Sequence, residues 1–483
     1  MKNVVLVGIS HLEQRAQDLA EAKEPVELMI DAVRQAASDA GSAGVLQASS
    51  VRVIRGIWPY QNPAKAVAEA IGASGAETVL SAFGGNFVQT CVNVSVQDIH
   101  SGQHDIIILT GAECGNTQAK AAKADVDLSW ATLPGTPDRF IGEDKDMRHD
   151  AERAIRLGRP IQVYPVLETA LRHHLGLGVD EHLGAISELW AGFSRVAAEN
   201  PNAWIRDAKT AEEIRTQSHI NRPVSFPYPK FLNSNNNVDQ AAALIFCSEE
   251  KAQSLGIPKE RWIYPWAGSD AQDHYYLSNR DNLYSSPAIR LAGNRVLTLC
   301  DLSTQDLDLI DVYSCFPSAV QIAAKELNLE TTRPLTITGG LTWAGGPLNN
   351  YVMHSIVRMA QLLRDKPGQR GMITANGGYI TKHAFGLYSS EPPAKPFQHA
   401  NLQPEVDQLP RREVVMMHEG QGEVEGYSVM YGPSGLDKAF VATRLPDGQR
   451  AWGICRDSDT LEAMTREEFC GRRVSLREHV ASF

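Results

Sequence analysis

The chain has 483 residues, of which 43% are hydrophobic, enough to bury more than one core, so two or three domains are expected. Its formal net charge is −11, from 57 acidic against 46 basic residues, and no Lys/Arg-rich run appears. That balance excludes nucleic acid or an anionic membrane as the main partner. No uninterrupted apolar stretch approaches the roughly 18 residues of a membrane span. The opening MKNVVLVGIS reads as a first strand rather than a signal peptide. The seven cysteines are scattered and never spaced CxxC. This fits a reducing cytoplasm, and neither structural zinc nor any other metal site is expected.

Residues 1–115 alternate strand and helix signals. Val4 to Ile9 is an apolar run, Pro25 to Ala40 has helical periodicity, and Val51 to Ile57 reads as a second strand. Pro63 to Ile71 follows as a helix, Thr78 to Ala82 as a short buried strand, and Val88 to Ile99 as a helix leading into the run Asp105 to Gly111. That order implies βαβ units and a mostly parallel sheet. Residues from about 115 to 235 are rich in Trp, Pro, Asn and charge, with helices over Val163–His174 and His182–Asn200; they read as an excursion from the sheet. The chain returns through the apolar strand Asp239 to Phe246. A second α/β run follows, with a strand at Leu307–Val312 and a helix at Ser318–Leu327. Residues 391–411, dense in proline, read as an extended linker. Beyond it, short alternating segments at Gly422–Tyr431, Lys438–Arg444 and Trp452–Ile454, with a turn at Pro446-Asp447-Gly448, predict a small β-barrel over 412–483.

The stretch from Thr338 to Ser389 carries the strongest signal. It reads TGGLTWAGGPLNNYVMH and then, after a helical segment, TANGGYITKHAFGLYS. Two glycine clusters, each leading out of an apolar run, predict tight turns at strand ends where backbone leaves room for a ligand. Pro347 after Gly345-Gly346 reads as the first residue of a helix. The arrangement resembles the two C-terminal active-site loops of the thiolase superfamily, and with the fused barrel it is similar to the group called thiolase-like protein type 1. The resemblance implies a duplicated α/β fold with stacked mixed sheets, an inserted loop domain at about 115–235 and an OB-fold-like barrel. The implied boundaries are 1–255 for the first half, 256–390 for the second and 412–483 for the barrel.

The resemblance also places the residues. Gly85, in Phe83-Gly84-Gly85-Asn86, stands at the position of the nucleophilic cysteine, and Asn86 is a helix cap or a ligand donor. Gly346 stands where a histidine is usual, before Pro347, and Ala375 where a second cysteine is usual. In Tyr313-Ser314-Cys315-Phe316-Pro317 the cysteine of one family version is kept. The start of the following helix is expected to favour its thiolate. His383, just past Gly377-Gly378-Tyr379, is the candidate base, and Tyr313 and Tyr379 are expected to bring phenols to the same pocket. Three functions follow. The first is an acyltransferase acting on acyl-CoA, with Cys315 and His383 as replacements. The second is a retro-aldolase of CoA esters using a phenol, and the third is a non-catalytic acyl-CoA-binding protein. In each, a coenzyme A thioester is the small-molecule substrate or ligand, no cofactor is tightly bound, and the chain is a homodimer or monomer.

Overall fold

The computed structural model describes residues 2–483. Two mixed sheets are stacked with helices between and outside them. The first runs, edge to edge, Val4–Glu13, Asp239–Ser248, Ile106–Cys114, Ser50–Val53, Glu77–Ser81 and Arg139–Ile141. Its central four strands are buried on both faces, as in a sheet covered by helices on both sides. The second runs Leu309–Asp311, Arg370–Gly377, Lys382–Ser389, Tyr264–Gln272 and Gln398–Asn401. The helices Phe87–His100 and Tyr351–Asp365 fill the layer between the sheets. Pro25–Ala40 and Pro63–Ala70 cover the far side of the first sheet, and Pro287–Leu299 covers that of the second. Proline occupies the first turn of all three covering helices, where a missing N–H costs nothing.

Two short edge strands lie where composition shows no strand. Arg139–Ile141, inside the loop excursion, pairs with Glu77–Ser81 and caps that edge of the first sheet. Gln398–Asn401, inside the proline-rich stretch expected to be a linker, pairs parallel to Tyr264–Gln272. The short helix Gln403–Asp407 follows it, so this segment is built into the second half and the extended reading is corrected. Among the described residues no helix is long and apolar enough to cross a membrane.

The C-terminal strands Gly420–Gly432, Gly435–Arg444, Arg450–Cys455, Val480–Ser482 and Arg473–Arg477 close into a five-stranded barrel, because Gly420–Gly432 pairs with both Gly435–Arg444 and Arg473–Arg477. The barrel does not hang free. Pro223–Phe226 from the loop region adds to its Gly420–Gly432 strand. The helix Pro160–Leu175 lies against the same strand; Thr169 Oγ accepts from Tyr427 N at 2.8 Å, and Arg172 reaches both the Tyr427 hydroxyl and Glu468 at 2.9 Å. On the other side Arg450, fully buried, pairs its Nε with Glu425 at 2.7 Å and donates Nη1 to the carbonyls of Ser278 at 2.9 Å and Arg280 at 2.6 Å.

Arg450 is therefore the rivet between barrel and second half. Breaking a buried ion pair by removing one partner costs about 3–5 kcal/mol, because the other partners stay buried. Arg450→Met is expected to lower stability by about 3 kcal/mol in chemical denaturation, and a loss under about 1 kcal/mol would show the contact to be dispensable.

Candidate functional site

Three turns at the sheet ends converge. The strand Glu77–Ser81 ends in Phe83-Gly84-Gly85-Asn86, the strand Leu309–Asp311 leads to Tyr313–Phe316, and the strand Arg370–Gly377 turns through Gly378 into Lys382–Ser389. Gly84 has φ 153° and Gly378 φ 73°, both in the region that favours glycine. Gly85 is glycine for a different reason. A Cβ there would lie 2.5 Å from the Asn376 carbonyl oxygen and 2.7 Å from the Tyr313 hydroxyl. The position has no room for even a methyl group, and the Tyr313 phenol fills the space beside it.

Tyr313 is fixed by its backbone N–H, which donates to Thr374 Oγ at 2.8 Å, and by an edge contact with Tyr351 at 5.5 Å. Burial raises its pKa well above the usual phenol value, so it is a neutral hydrogen-bond donor. Cys315 precedes the helix Pro317–Glu326, with Pro317 in its first turn. The expected thiolate is not what this environment stabilises. Cys315 is packed in the main core, and burial pushes its pKa up to about 12 despite opposing hydrogen bonds from Tyr164, the Phe316 backbone and Asn376. Desolvation outweighs the helix end. Cys91, at about 12 for the same reason, is equally inert.

At the glycine turn, Tyr164 from the loop region threads between the strands. Its hydroxyl donates to the Gly378 carbonyl at 2.9 Å and accepts from Asn376 Nδ2 at 3.1 Å. Tyr379 does not join the pocket, because its hydroxyl reaches outward to the Gly158 carbonyl. Side chains alternate across the strand that follows. His383 faces Asp273 and Ser286, each 3.4 Å from Nε2, and also lines the small cavity that Tyr313 and Asn376 border. The neighbour on the other face, Lys382, is the one that reaches the glycine turn. Its ammonium donates to the Phe83 carbonyl at 2.6 Å and stands where a side chain at Gly84 would be. Burial pulls its pKa down to about 8, partly offset by Asp144. Asn86, expected to cap the helix Phe87–His100, makes no capping bond, and its Oδ1 is buried without a partner.

Gly345, Gly346 and Pro347 pack elsewhere. Gly345, at φ 108°, lies against the Gln240 amide, and Gly346 N–H donates to the Asn235 carbonyl at 2.8 Å. Pro347 does not open the helix. A single tight turn, Leu348–Asn350, intervenes, and the helix begins at Tyr351. His354 in that helix is buried against His11 at 4.0 Å, and burial pushes its pKa well below the usual value.

A layer of aromatic and polar groups roofs the turns. Phe316 is stacked by Tyr164 at 4.3 Å and Tyr228 at 5.6 Å. Tyr228 donates to the buried Glu168, which also bonds His182 at 2.6 Å and Gln321 at 2.7 Å. The cavity left among Tyr313, Asn376 and His383 is about 10 Å³, room for at most one water. The large cleft lies on the outer side of this roof, about 690 Å³ between the helix Val179–Glu199 and residues 331–336. Lys382, Tyr164 and Glu168 were not singled out from the sequence. The alternation that sets Lys382 opposite His383 was the available signal for Lys382; the other two arrive from the loop region, with no local motif.

Residues 401–479 match the family model of the thiolase-like protein type 1 additional C-terminal domain. Over its length the chain resembles a monomeric SCP2-thiolase-like protein type 1 from Mycobacterium smegmatis, at 29% identity and TM-score 0.83, covering 99% of this chain and 98% of that one. An acetyl-CoA acetyltransferase of Methanocaldococcus jannaschii is 28% identical over 237 residues, 48% of this chain and 52% of that protein, so the match spans about half of that relative. An Ltp2–ChsH2(DUF35) aldolase shares the fold at 16% identity and TM-score 0.62, covering 81% of this chain and 98% of that one. Together these matches support the thiolase superfamily, and the structure has its mixed α/β sheets with a closed five-stranded barrel at the C-terminus.

Two outcomes test this geometry. Gly85→Ala is expected to cost about 1–3 kcal/mol by overpacking, and Tyr313→Phe in the same chain to recover part of it, because the hydroxyl is one of the two clashing groups. Strict additivity in denaturation experiments would show that the phenol does not press on position 85. Lys382 predicts a pH dependence. Its folded pKa, about 8, lies below the usual 10.5. Between these values the unfolded chain binds a proton that the folded chain does not, so the burial penalty is complete below about 8 and fades as pH rises towards 10.5. The stability of the native chain relative to Lys382→Met should therefore rise across that window. A difference that is flat with pH would place the ammonium in water.

Proposed function

We propose that this protein binds an acyl-CoA thioester and handles it without a cysteine acyl-enzyme. The observation that carries this is Gly85, where the acylated side chain is missing and its space is filled by Tyr313 and Asn376. The kinship with acetyl-CoA acetyltransferases supports the ligand class. The cleft of about 690 Å³ supports the entry route, being within the range of small-molecule sites. Its apolar floor includes Ile186, Leu189, Phe193 and Leu335, with Arg195 available to phosphates, while Arg333 is bonded to the Thr304 and Leu307 carbonyls. The Leu335 carbonyl accepts from Val312 N–H at 2.8 Å, one residue before Tyr313, which connects the cleft to the turn. All seven cysteines are free, in keeping with a cytoplasmic protein, and the capped sheet edge at Arg139–Ile141 favours a monomer.

A second reading, retro-aldol cleavage of a 3-hydroxyacyl-CoA, is favoured by the neutral Tyr313 phenol beside Gly85 and by the fold shared with an aldolase. There a general base takes the 3-hydroxyl proton as the carbon–carbon bond breaks to a carbonyl product and a thioester enolate, a phenol donates to the enolate oxygen, and the proton returns to the α-carbon.

Titration calorimetry with acetyl-CoA tests the binding site. Gly192 faces open space in the cleft, with only Arg195 at 3.7 Å from an added Cβ, so Gly192→Trp fills the cleft without disturbing the core. It is expected to weaken binding at least about tenfold. Equal affinity in both proteins would remove the cleft from the account, and no binding to either would remove the ligand class. Cleavage of a 3-hydroxyacyl-CoA by the native chain, lost in Tyr313→Phe, is the outcome that favours the second reading.

A further inference from the structure

We propose that the protein carries a small-oxyanion site, taking inorganic phosphate or a carboxylate, between the start of the helix Pro287–Leu299 and the segment leading into the barrel. A cavity of about 180 Å³ lies there. One wall is apolar, built from Pro287, Val406 and Leu409, and the other holds Arg280 and Arg290. This inference is independent of the coenzyme A reading.

Arg280 carries the argument. It is 4% exposed, yet its side chain makes a single hydrogen bond, from Nη2 to Thr381 Oγ at 2.8 Å. Its Nε is buried without a partner. A buried guanidinium in this condition is costly unless an anion meets it. The carboxylate closest in its electrostatics, Asp273, is already committed to Ser286 Oγ, the Ala288 N–H at 3.0 Å and His383 at 3.4 Å. The other acid on the wall, Asp281, is largely exposed and paired with Arg412 at 3.8 Å. Neither acid bonds the guanidinium, whose Nη1 has no partner and is left to meet an oxyanion in the cavity. Arg290, bonded to Glu326 through Nη1 at 3.0 Å, keeps its other nitrogens for the same occupant. Asn282 uses its Oδ1 to accept from Tyr284 N–H and Ser285 Oγ, which leaves its NH2 group to donate. Planar, forked guanidinium donors suit carboxylate and phosphate alike.

The walls come from both sides of one seam. Arg280 and Asn282 belong to the second half, and Val406 and Leu409 to the segment that carries the barrel. Arg412 N–H donates to the Asn279 carbonyl at 2.9 Å beside it. An occupant therefore fastens that segment to the core, and ligand binding reads out as stability.

The test is the melting temperature of the full chain in a non-coordinating buffer, with and without about 20 mM inorganic phosphate or acetate at constant ionic strength. The native chain is expected to gain at least about 2 °C with one of the two anions. Arg280→Met should lose the gain, and the surface variant Arg295→Ala should keep it. If Arg280→Met does not fold, Leu409→Trp, which fills the cavity from the opposite wall with Arg280 intact, takes its place and should lose the gain too. No gain with either anion, or an equal gain in the cavity variants, overturns the site. Which anion acts separates phosphate from carboxylate.

Discussion

The contact of Gly85 with Tyr313 and Asn376 is the constraint on which the site depends. Because position 85 carries no side chain, the end of the second sheet closes directly onto the start of the helix Phe87–His100. That closure sets the phenol of Tyr313 where a nucleophile would need to project, and leaves a cavity of about 10 Å³. A thiolase-type reaction needs a thiolate and a base held within hydrogen-bond reach of one another. Here the first is absent, and the glycine at 346 packs beside Asn235 and Asn236.

Desolvation then decides what the remaining groups are. Cys315 and Tyr313 are held protonated, and Lys382 is drawn towards its neutral form, all by burial. The turn thus presents protonated donors rather than a thiolate nucleophile. The loop region enforces this, because Tyr164 and the Glu168–Tyr228 pair seal the turns from solvent. The helix bearing Tyr164 and Glu168 is itself clamped by the barrel through Thr169 and Arg172. The barrel thus supports the roof of the site.

Much of the fold was legible because its central strands are buried on both faces. Val4 to Ile9, Asp105 to Gly111 and Asp239 to Phe246 read as apolar runs, and all three lie in strands of the first sheet. The edge strands Arg139–Ile141 and Gln398–Asn401 were not legible. They are short and partly solvent-facing, and tertiary pairing rather than side-chain pattern makes them strands. The glycine turn at 377–378 was visible, and so was the absence of side chains at 85 and 346. The direction in which neighbours point was not. His383 and Lys382 are adjacent, and only the register of their strand decides which of them meets Gly84. Burial that turns Cys315 from a reactive thiol into a core residue comes from segments distant in the chain, beyond any local signal, and outweighs the opposing hydrogen bond from Tyr164.

Intact-mass spectrometry of the full chain after incubation with acetyl-CoA tests the central claim most directly, with peptide mapping of any adduct. The account predicts an unmodified protein, including at Cys315 and Cys91, under conditions where calorimetry detects binding. An acetyl group carried by Cys315, and lost in Cys315→Ala, would contradict it.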